Sequence, residues 1–221
     1  MIEIKSMVQP YKVEEVRNLT EAAYILRFTK NEMNFRAGQH LAVGIENNRG
    51  AREYSIYSGV NDPYLEILVR EVEDGDISKK LHHLKKDERL NVNGSYGFFM
   101  YNASMVENKK FLFIATGTGI APFHSLAKTY PEAYYKVIHG IRKCDEAYER
   151  SHYKDGSYIA CTSKDENGDY YGRVTDYLKE ADFDKDLNIY LCGNSMMIVE
   201  SMRILEQKGF NKSQMFTEVY F

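Results

Sequence analysis

The sequence Ala-Thr-Gly-Thr-Gly-Ile-Ala-Pro-Phe at residues 115–123 follows an apolar run at residues 111–115 and precedes a helical pattern. Gly117 and Gly119 let the backbone turn sharply with no Cβ in the way, so that its amides can approach a diphosphate. Pro122 suits the first turn of a helix, whose N-terminus adds partial positive charge. The stretch therefore predicts a strand, a turn and a helix around the phosphates of a nucleotide; a turn that binds no ligand is the alternative.

The composition is typical of a folded globular protein. Of the 221 residues, 43% are apolar and 28% are charged, and the formal net charge of -3 does not indicate a nucleic-acid partner. No apolar run reaches membrane-spanning length and the N-terminus has no signal-peptide core, so we expect no membrane association and a cytoplasmic protein. Cys144, Cys161 and Cys192 are too scattered for a disulfide framework or an iron–sulfur site. Redox chemistry in this chain therefore requires an organic cofactor.

Short runs of alternating or β-branched residues characterise the first half of the chain. They lie at residues 23–28, 39–45 and 64–69. Several such runs without a long helical pattern predict an antiparallel barrel or sandwich. We expect a short helix over residues 78–86, a last strand at 90–92 and a turn at 94–99.

Residues 52–58, Arg-Glu-Tyr-Ser-Ile-Tyr-Ser, carry an unusual combination of side chains for a strand. Alternate side chains share a face, so a guanidinium, an aromatic ring and hydroxyls lie close together. This set suits a flat ring with a phosphorylated tail, although an ordinary strand with packed aromatic residues is the alternative. Gly75 and Ser78, near the start of the predicted short helix, form a second candidate phosphate site.

The second half alternates short apolar strands with polar or helical segments. The strands lie at residues 111–114, 135–139, 158–161 and 187–191, and this alternation predicts a parallel sheet with helices on both faces. Ligands in such sheets sit beyond the carboxyl ends of the strands, where we place Gly117, Gly140, Thr162 and Cys192. Further on, residues at helical spacing predict a helix that ends near Gly209 and packs into the core through Met196, Val199, Met202 and Leu205.

Six motifs occur in order: Arg52-x-Tyr54-Ser55-x-x-Ser58, Gly75-x-x-Ser78, Gly94-x-x-Gly97, the residue 116–122 segment, Cys192-Gly193, and Glu218-Val219-Tyr220-Phe221. Together they resemble the ferredoxin–NADP reductase family over nearly the full length. The resemblance implies an FAD-binding antiparallel β-barrel at residues 1–101 and an NAD(P)-binding α/β parallel-sheet domain at residues 108–221. Two departures are Ser95, where the family usually has proline, and Phe221, which follows the aromatic residue that ends plant-type members.

The resemblance also implies roles for individual residues. Arg52 and Ser78 would contact the FAD diphosphate, Tyr54 would stack on the isoalloxazine and Ser55 would bond near its N5 atom. Other expected nucleotide contacts are Val69, Arg70, Gly75, Thr116, Gly117, Gly119, Pro122, Ser163, Lys164, Arg173, Cys192 and Gly193. Ser55, Cys192, Glu218 and Tyr220 are the expected catalytic residues. Either Tyr220 or Phe221 would cover the second face of the flavin.

The activity implied by the resemblance is electron transfer between NADPH and a small one-electron carrier, ferredoxin or flavodoxin, by hydride transfer between nicotinamide C4 and FAD N5 in a monomer. The alternatives are a flavin-binding subunit of a larger reductase complex, an NADH-preferring diaphorase-type reductase, and a binding module without turnover. Asp165, Glu166 and Asp169 argue against NADPH, whereas Arg173 favours it.

Two further features concern charge and metals. A basic segment consists of Lys79, Lys80, Lys85, Lys86 and Arg89. It could attract an acidic carrier, although a solvated helix face is an equal alternative. His82, His83 and His139 have no companions at metal-ligand spacing, so no metal site is predicted.

Overall fold

The computed structural model describes residues 10–46, 50–73, 75–100 and 109–220. These residues form two six-stranded sheets, one in each half of the chain. The predicted boundary at residues 101–108 lies outside the described residues, as does Phe221.

The first sheet is antiparallel. Its strands are β1 (Tyr11–Asn18), β2 (Ala23–Thr29), β3 (His40–Ile45), β4 (Arg52–Ser55), β5 (Tyr64–Arg70) and β6 (Arg89–Tyr96), in the order β4-β3-β6-β1-β2-β5. Immediately after β4, Ile56 bridges Ile67 of β5, and the Tyr57 amide donates to the Glu66 carbonyl at 2.7 Å. These contacts join the two edge strands, so the sheet closes into the predicted barrel.

The barrel core forms because apolar residues alternate along its strands and point inward. Its buried members include Leu26, Leu41, Ile67 and Val69. Helix α1 (Asp76–His82) begins and ends earlier than predicted, and the Tyr24 hydroxyl donates to the Ser78 carbonyl at 2.5 Å, which attaches the helix to the barrel.

The turn predicted at residues 94–99 is wrong for residues 94–96. Residues 94–96 belong to β6, because Gly94 pairs with Leu41 and Tyr96 pairs with His40 across a register shift. Gly94 has a φ of 147° and tolerates the irregular pairing.

The second sheet is parallel. Its strands are β7 (Lys110–Thr116), β8 (Tyr134–Ile141), β9 (Tyr158–Thr162), β10 (Tyr170–Tyr171), β11 (Asn188–Asn194) and β12 (Met215–Tyr220), in the order β10-β9-β8-β7-β11-β12. Its helices are α2 (Ala121–Thr129), α3 (Val174–Glu180) and α4 (Ser195–Gln207). The strand order reverses between β7 and β11, and such a reversal is where ligands bind in open α/β sheets. The predicted α/β sheet is confirmed.

The buried face of α4 differs in part from the prediction: Leu205 is buried and Met202 packs against the core, as predicted. Met197, Ile198, Ile204 and Leu205 are buried, whereas Met196 and Val199 are exposed. The helix carries apolar residues on two neighbouring stripes, and the sequence pattern did not show which stripe faces the sheet.

Helix α2 joins the two halves. Its Ser125 hydroxyl donates to the Ser58 carbonyl at 2.7 Å, its Thr129 hydroxyl accepts from the Val60 amide at 3.0 Å, and Lys128 forms an ion pair with Asp62 at 2.6 Å. Each neutral bond contributes about 1 kcal/mol. One continuous core, which includes Ile25 and Tyr57 of the barrel half and Phe123 of α2, spans the junction. The turn at residues 116–120, here called the nucleotide turn, and the residue 52–58 motif are therefore held in fixed relation to each other.

Among the described residues, no helix has both the length and the apolar character needed to cross a bilayer. The three cysteines are free thiols.

Candidate active site

A cleft of about 890 Å³, here called the barrel cleft, lies along β4. Its volume is within the range of ligand pockets, roughly 300–1,000 Å³. It brings together predicted residues that are far apart in sequence: Arg52, Tyr54, Ser55, Arg70, Gly75, Ser78, Glu218 and Tyr220.

One end of the barrel cleft is suited to phosphate. Arg52 is exposed, and its guanidinium donates to the Ala51 carbonyl at 3.2 Å. No carboxylate in the described part of the chain forms an ion pair with it. A Cβ at Gly75 would approach the Ser78 hydroxyl to 2.7 Å, so the glycine leaves room for the turn that leads into α1. A positive side chain and a serine beside first-turn amides are suitable donors for a diphosphate.

The other end contains a partly buried hydrogen bond between the two halves of the chain. The Tyr220 hydroxyl donates to Ser55 Oγ at 2.5 Å. Ser55 is buried, and burial raises the pKa of Tyr220 well above its ordinary value. Burial also raises the pKa of Tyr54 to about 12, with Arg52 acting in the opposite direction. These phenols stay neutral and can stack or donate at physiological pH.

Cys192 occupies a different position from the one expected. It is fully buried in β11, directly opposite Glu218 of β12, and it lines neither cleft. Burial raises its thiol pKa well above the ordinary value, and Tyr220 lies within hydrogen-bonding distance of it. The thiol is therefore a neutral group that Tyr220 covers.

Glu218 holds a proton unusually tightly. Burial, with a further contribution from Glu53, raises its pKa to about 7. Its Oε1 atom lies 3.5 Å from His40 Nδ1, and Glu218 Oε2 and His40 Nδ1 are both buried without a hydrogen-bond partner among the described residues. Since buried polar atoms normally have partners, this pair indicates a polar ligand in the cleft.

His40 and Glu53 were missed by the sequence analysis. His40 begins β3 and pairs with Ser55 of β4, so only the strand register brings it to the site.

A second cleft of about 460 Å³, here called the sheet cleft, lies at the carboxyl ends of the parallel strands, as predicted. The predicted residues that line it are Arg70, Thr116, Gly117, Gly140, Ser163 and Arg173. Thr118 lines the barrel cleft, so the nucleotide turn lies between the two clefts.

Some predicted residues in the nucleotide turn and in the adjacent β11 do not line a cleft but permit close packing of the backbone. A Cβ at Gly119 would come within 2.5 Å of the Cys192 carbonyl oxygen, and one at Gly193 within 2.4 Å of Thr116 Oγ1. Pro122 is buried in the first turn of α2, as its fixed φ predicts. These residues allow β11 to approach the turn closely.

Near the predicted 2′-phosphate segments, Ser163 and Arg173 line the sheet cleft and Lys164 does not. Two of the three acidic residues expected to oppose phosphate are engaged elsewhere. Asp165 accepts from the Cys144 amide at 3.0 Å, and Asp169 pairs with Arg150 at 2.8 Å. Two carboxylates that the sequence analysis did not place there, Glu146 and Glu200, line this cleft instead.

Val69 was an expected nucleotide contact, but its side chain lies in the barrel core. Its neighbours Leu68 and Arg70 line the barrel cleft, because alternate residues of β5 face outward.

Comparison with known proteins identifies the two halves of the chain. Residues 10–101 match the oxidoreductase FAD-binding domain family, and residues 113–202 match the oxidoreductase NAD-binding domain family. A flavodoxin/ferredoxin–NADP reductase of Rhodobacter capsulatus is 29% identical, over 90% of this chain and 86% of that protein. The chain belongs to the ferredoxin–NADP reductase family.

The relatives of this ferredoxin–NADP reductase family member include a protein named as an NADH-dependent reductase and a solved ferredoxin reductase structure. NADH-cytochrome b5 reductase 1 of Debaryomyces hansenii is 30% identical, over 53% of this chain and 43% of that protein. A solved structure of a ferredoxin NADP+ reductase from Neisseria gonorrhoeae with bound FAD and NADP has a TM-score of 0.85 at 20% identity and covers 96% of this chain and 98% of that chain. That likeness shows the shared fold.

The residues of this family member fit the family's two cofactors, FAD and a nicotinamide nucleotide. Among the described residues, the barrel cleft offers an arginine without an ion pair, a phosphate end that contains Gly75, and polar atoms without hydrogen-bond partners. The sheet cleft lies at the reversal of strand order, where nucleotides bind in such sheets. The protein is thus an oxidoreductase with an FAD domain followed by an NAD(P) domain.

Proposed function

We propose that this protein transfers electrons between NADPH and a small one-electron carrier, ferredoxin or flavodoxin. FAD supplies the conversion between a two-electron hydride and single electrons. The observation that carries the proposal is the adjacency of the two clefts, which share Arg70 and are separated by the nucleotide turn.

In this proposal the chain binds and orients the cofactor from both ends of the barrel cleft. Arg52 and Ser78 hold the diphosphate, and Tyr54 stacks on the ring system. Ser55 presents a hydroxyl whose present partner is Tyr220, at 2.5 Å. Glu218 lines the same cleft, and burial raises its pKa to about 7.

Tyr220 excludes water and also controls access to the site. Its hydroxyl bonds Ser55 and its ring packs against the core beside Cys192. A nicotinamide ring that reaches Cys192 must displace this side chain. Tyr220 therefore has to move in each turnover, whereas Cys192 contributes a small neutral surface.

The preference for NADPH is argued from the sheet cleft. Arg173 and Ser163 are exposed there, and no described carboxylate forms an ion pair with Arg173. A guanidinium and a hydroxyl suit a 2′-phosphate.

A second candidate is an NADH-preferring reductase. Glu146 and Glu200 line the sheet cleft, and a carboxylate is a suitable acceptor for the free ribose hydroxyls of NADH. The similarity to an NADH-cytochrome b5 reductase favours the same candidate. Comparison of kcat/KM for NADPH and NADH separates the two.

The decisive experiment is anaerobic mixing of the FAD-loaded protein with NADPH. Loss of the oxidised flavin absorbance, followed by reduction of ferredoxin or flavodoxin by the isolated chain, supports the proposal. Loss of absorbance without carrier reduction identifies an electron-transfer component of a larger complex. A protein that binds no FAD, or whose FAD is not reduced by either nucleotide, contradicts the assignment.

A further inference from the structure

Two histidines and a glutamate that the proposed function does not use lie together at the junction of the two halves. His124 is buried on α2, and Glu149 and His152 belong to the segment that contains the 3-10 helix Arg150–His152. One possible ligand atom from each residue lies within 4.8 Å of the others.

We propose that His124, Glu149 and His152 bind a divalent transition-metal cation of the Zn²⁺ type. The ligand atoms are His124 Nε2, Glu149 Oε2 and His152 Nδ1.

The separations of these atoms fit a tetrahedral ion. His124 Nε2 lies 3.0 Å from His152 Nδ1, and each of these nitrogens lies 3.5 Å from Glu149 Oε2. Zinc bonds of about 2.0–2.2 Å at tetrahedral angles place neighbouring ligand atoms about 3.3–3.5 Å apart. The three atoms therefore already form one face of such a site, to within a few tenths of an ångström.

The surrounding groups orient the ligands. His124 Nδ1 donates to the Tyr57 carbonyl at 2.8 Å, so Nε2 carries the lone pair that a metal requires. Arg17 donates to Glu149 Oε1 at 2.6 Å and leaves Oε2 available. Arg17 also brings a positive charge, which weakens cation binding, and the site should therefore have moderate affinity.

A buried hydroxyl provides a further indication of a polar group at this site. Tyr153 Oη is buried with no hydrogen-bond partner among the described residues, whereas Tyr57 Oη lies close to the Glu149 carboxylate. Both rings pack on His124: Tyr57 stacks on it with centroids 3.7 Å apart, and Tyr153 meets it edge-on at 6.0 Å. A zinc ion with three protein ligands keeps a water in its fourth position, and such a water is a suitable partner for a buried hydroxyl.

The His152 side chain is 45% exposed, which gives an ion a route from solvent. Without a cation the same contact is a plain hydrogen bond from His152 Nδ1 to His124 Nε2. The metal-bound chain should be more stable than the metal-free chain. A bound ion links the residue 149–152 segment to α2, and through Arg17 and Tyr57 to the barrel. Binding to the folded chain alone then raises the unfolding temperature.

The test is titration of Zn²⁺ into the chelator-treated, FAD-loaded full chain, followed by calorimetry and thermal unfolding. We expect one ion per chain and a higher unfolding temperature. His152→Ala should weaken binding at least about tenfold, since loss of even an outer-sphere contact has an effect of that size, and Glu149→Gln should weaken it as well. His83→Ala is the matched control, because His83 is exposed and outside the cluster.

Flavin content and circular dichroism establish that His152→Ala is folded, which its exposure leads us to expect. Equal Zn²⁺ binding by wild type and folded His152→Ala overturns the proposal, as does the absence of Zn²⁺ binding by wild type. An anomalous X-ray peak for Zn²⁺ between the three named atoms would confirm the position.

Discussion

Burial raises the proton affinity of Glu218, which lines the barrel cleft. Its ordinary pKa of 4.5 rises to about 7 in the folded chain. The folded state therefore binds the proton more tightly than the unfolded state between these two values. The associated stabilisation is complete below pH 4.5 and is lost as the pH rises through about 7.

Glu218→Gln should make the FAD-free chain more stable than wild type above pH 7 and similar to it in acid, because glutamine stays neutral. Thermal unfolding against pH measures this difference. The exposed Glu14→Gln is the control and should follow wild type. A Glu218→Gln curve parallel to wild type would mean that the Glu218 carboxyl titrates normally.

Removal of Tyr220 and Phe221 should lower the discrimination between NADPH and NADH and change kcat for hydride transfer, while the fold stays intact. The physical reason is that the Tyr220 side chain occupies space beside Ser55 and Cys192. Tyr220→Phe, which keeps the ring and loses the hydroxyl, is the control and should retain the discrimination. Stopped-flow kinetics with both nucleotides gives the comparison.

Full FAD occupancy together with an unchanged hydride-transfer rate and an unchanged nucleotide preference in the truncated chain would show that the tail does not cover the flavin.

At the scale of elements, the sequence predicted the strands and their type well where the pattern is local. The central parallel strands β7 and β11 are mostly apolar and buried on both faces, so they were recognisable from composition alone. The buried face of α4 was not, because two apolar stripes compete for the sheet. Packing against the sheet decides between them, and a single helix does not encode that choice.

The site residues were likewise predictable where a local sequence motif contains them, and not where tertiary packing brings them together. Arg52, Ser55 and Tyr220 belong to motifs with distinctive residue types, and the structure brings them together. His40 reaches the site only through its pairing with Ser55 in the adjacent strand. His124 meets His152 only because α2 packs beside a 3-10 turn. Contacts of this kind depend on tertiary structure and leave no local sequence signal.

In the loops at the ends of the parallel strands, Arg173→Ala should raise KM for NADPH more than KM for NADH. The exposed guanidinium of Arg173 lines the sheet cleft, and only NADPH has the 2′-phosphate. Steady-state kinetics with Lys164→Ala as the control tests this, since Lys164 lies outside that cleft. An equal effect on both nucleotides would mean that Arg173 does not contact the phosphate.

The packing of the nucleotide turn on β11 should make Gly119→Ala destabilising by about 1–3 kcal/mol, the usual cost of overpacking. The added Cβ would lie 2.5 Å from the Cys192 carbonyl oxygen, a backbone atom that cannot rotate away. Gly156→Ala is the control: it has a φ of 71° and open space around it, so it should cost only about 1–2 kcal/mol through its backbone conformation.

Urea denaturation measures the change in the free energy of unfolding for Gly119→Ala and for Gly156→Ala. FAD affinity should fall only for Gly119→Ala, because Thr118 lines the barrel cleft and moves when the turn shifts. Unaltered FAD affinity in that variant would show that the turn can relax without disturbing the cleft.

At the scale of the whole molecule, charge is distributed unevenly. The net charge is negative, yet Lys85 and Lys86 are exposed next to α1 and form no ion pair with any described residue. We propose this segment as the docking surface for an acidic carrier, since electrostatic attraction accelerates association mainly at low ionic strength.

Reversal of both lysines to glutamate should slow reduction of ferredoxin or flavodoxin at low salt and leave reduction of a small neutral acceptor unchanged. The pair Lys109→Glu and Lys136→Glu is the control, because it makes the same change in net charge on the α/β half, where both residues are exposed. Carrier reduction that is equally slow in both pairs would indicate a general charge effect and no specific surface.

Arg70 lines both clefts and lies 3.8 Å from Glu146. A single guanidinium cannot pair fully with an anion on each side, so the two nucleotides share one source of positive charge. By thermodynamic linkage, any factor by which the first ligand changes the affinity for the second must be matched by the reverse effect. We therefore expect the dissociation constant for FAD to vary with the concentration of nicotinamide nucleotide, so that each cofactor acts as an effector of the other.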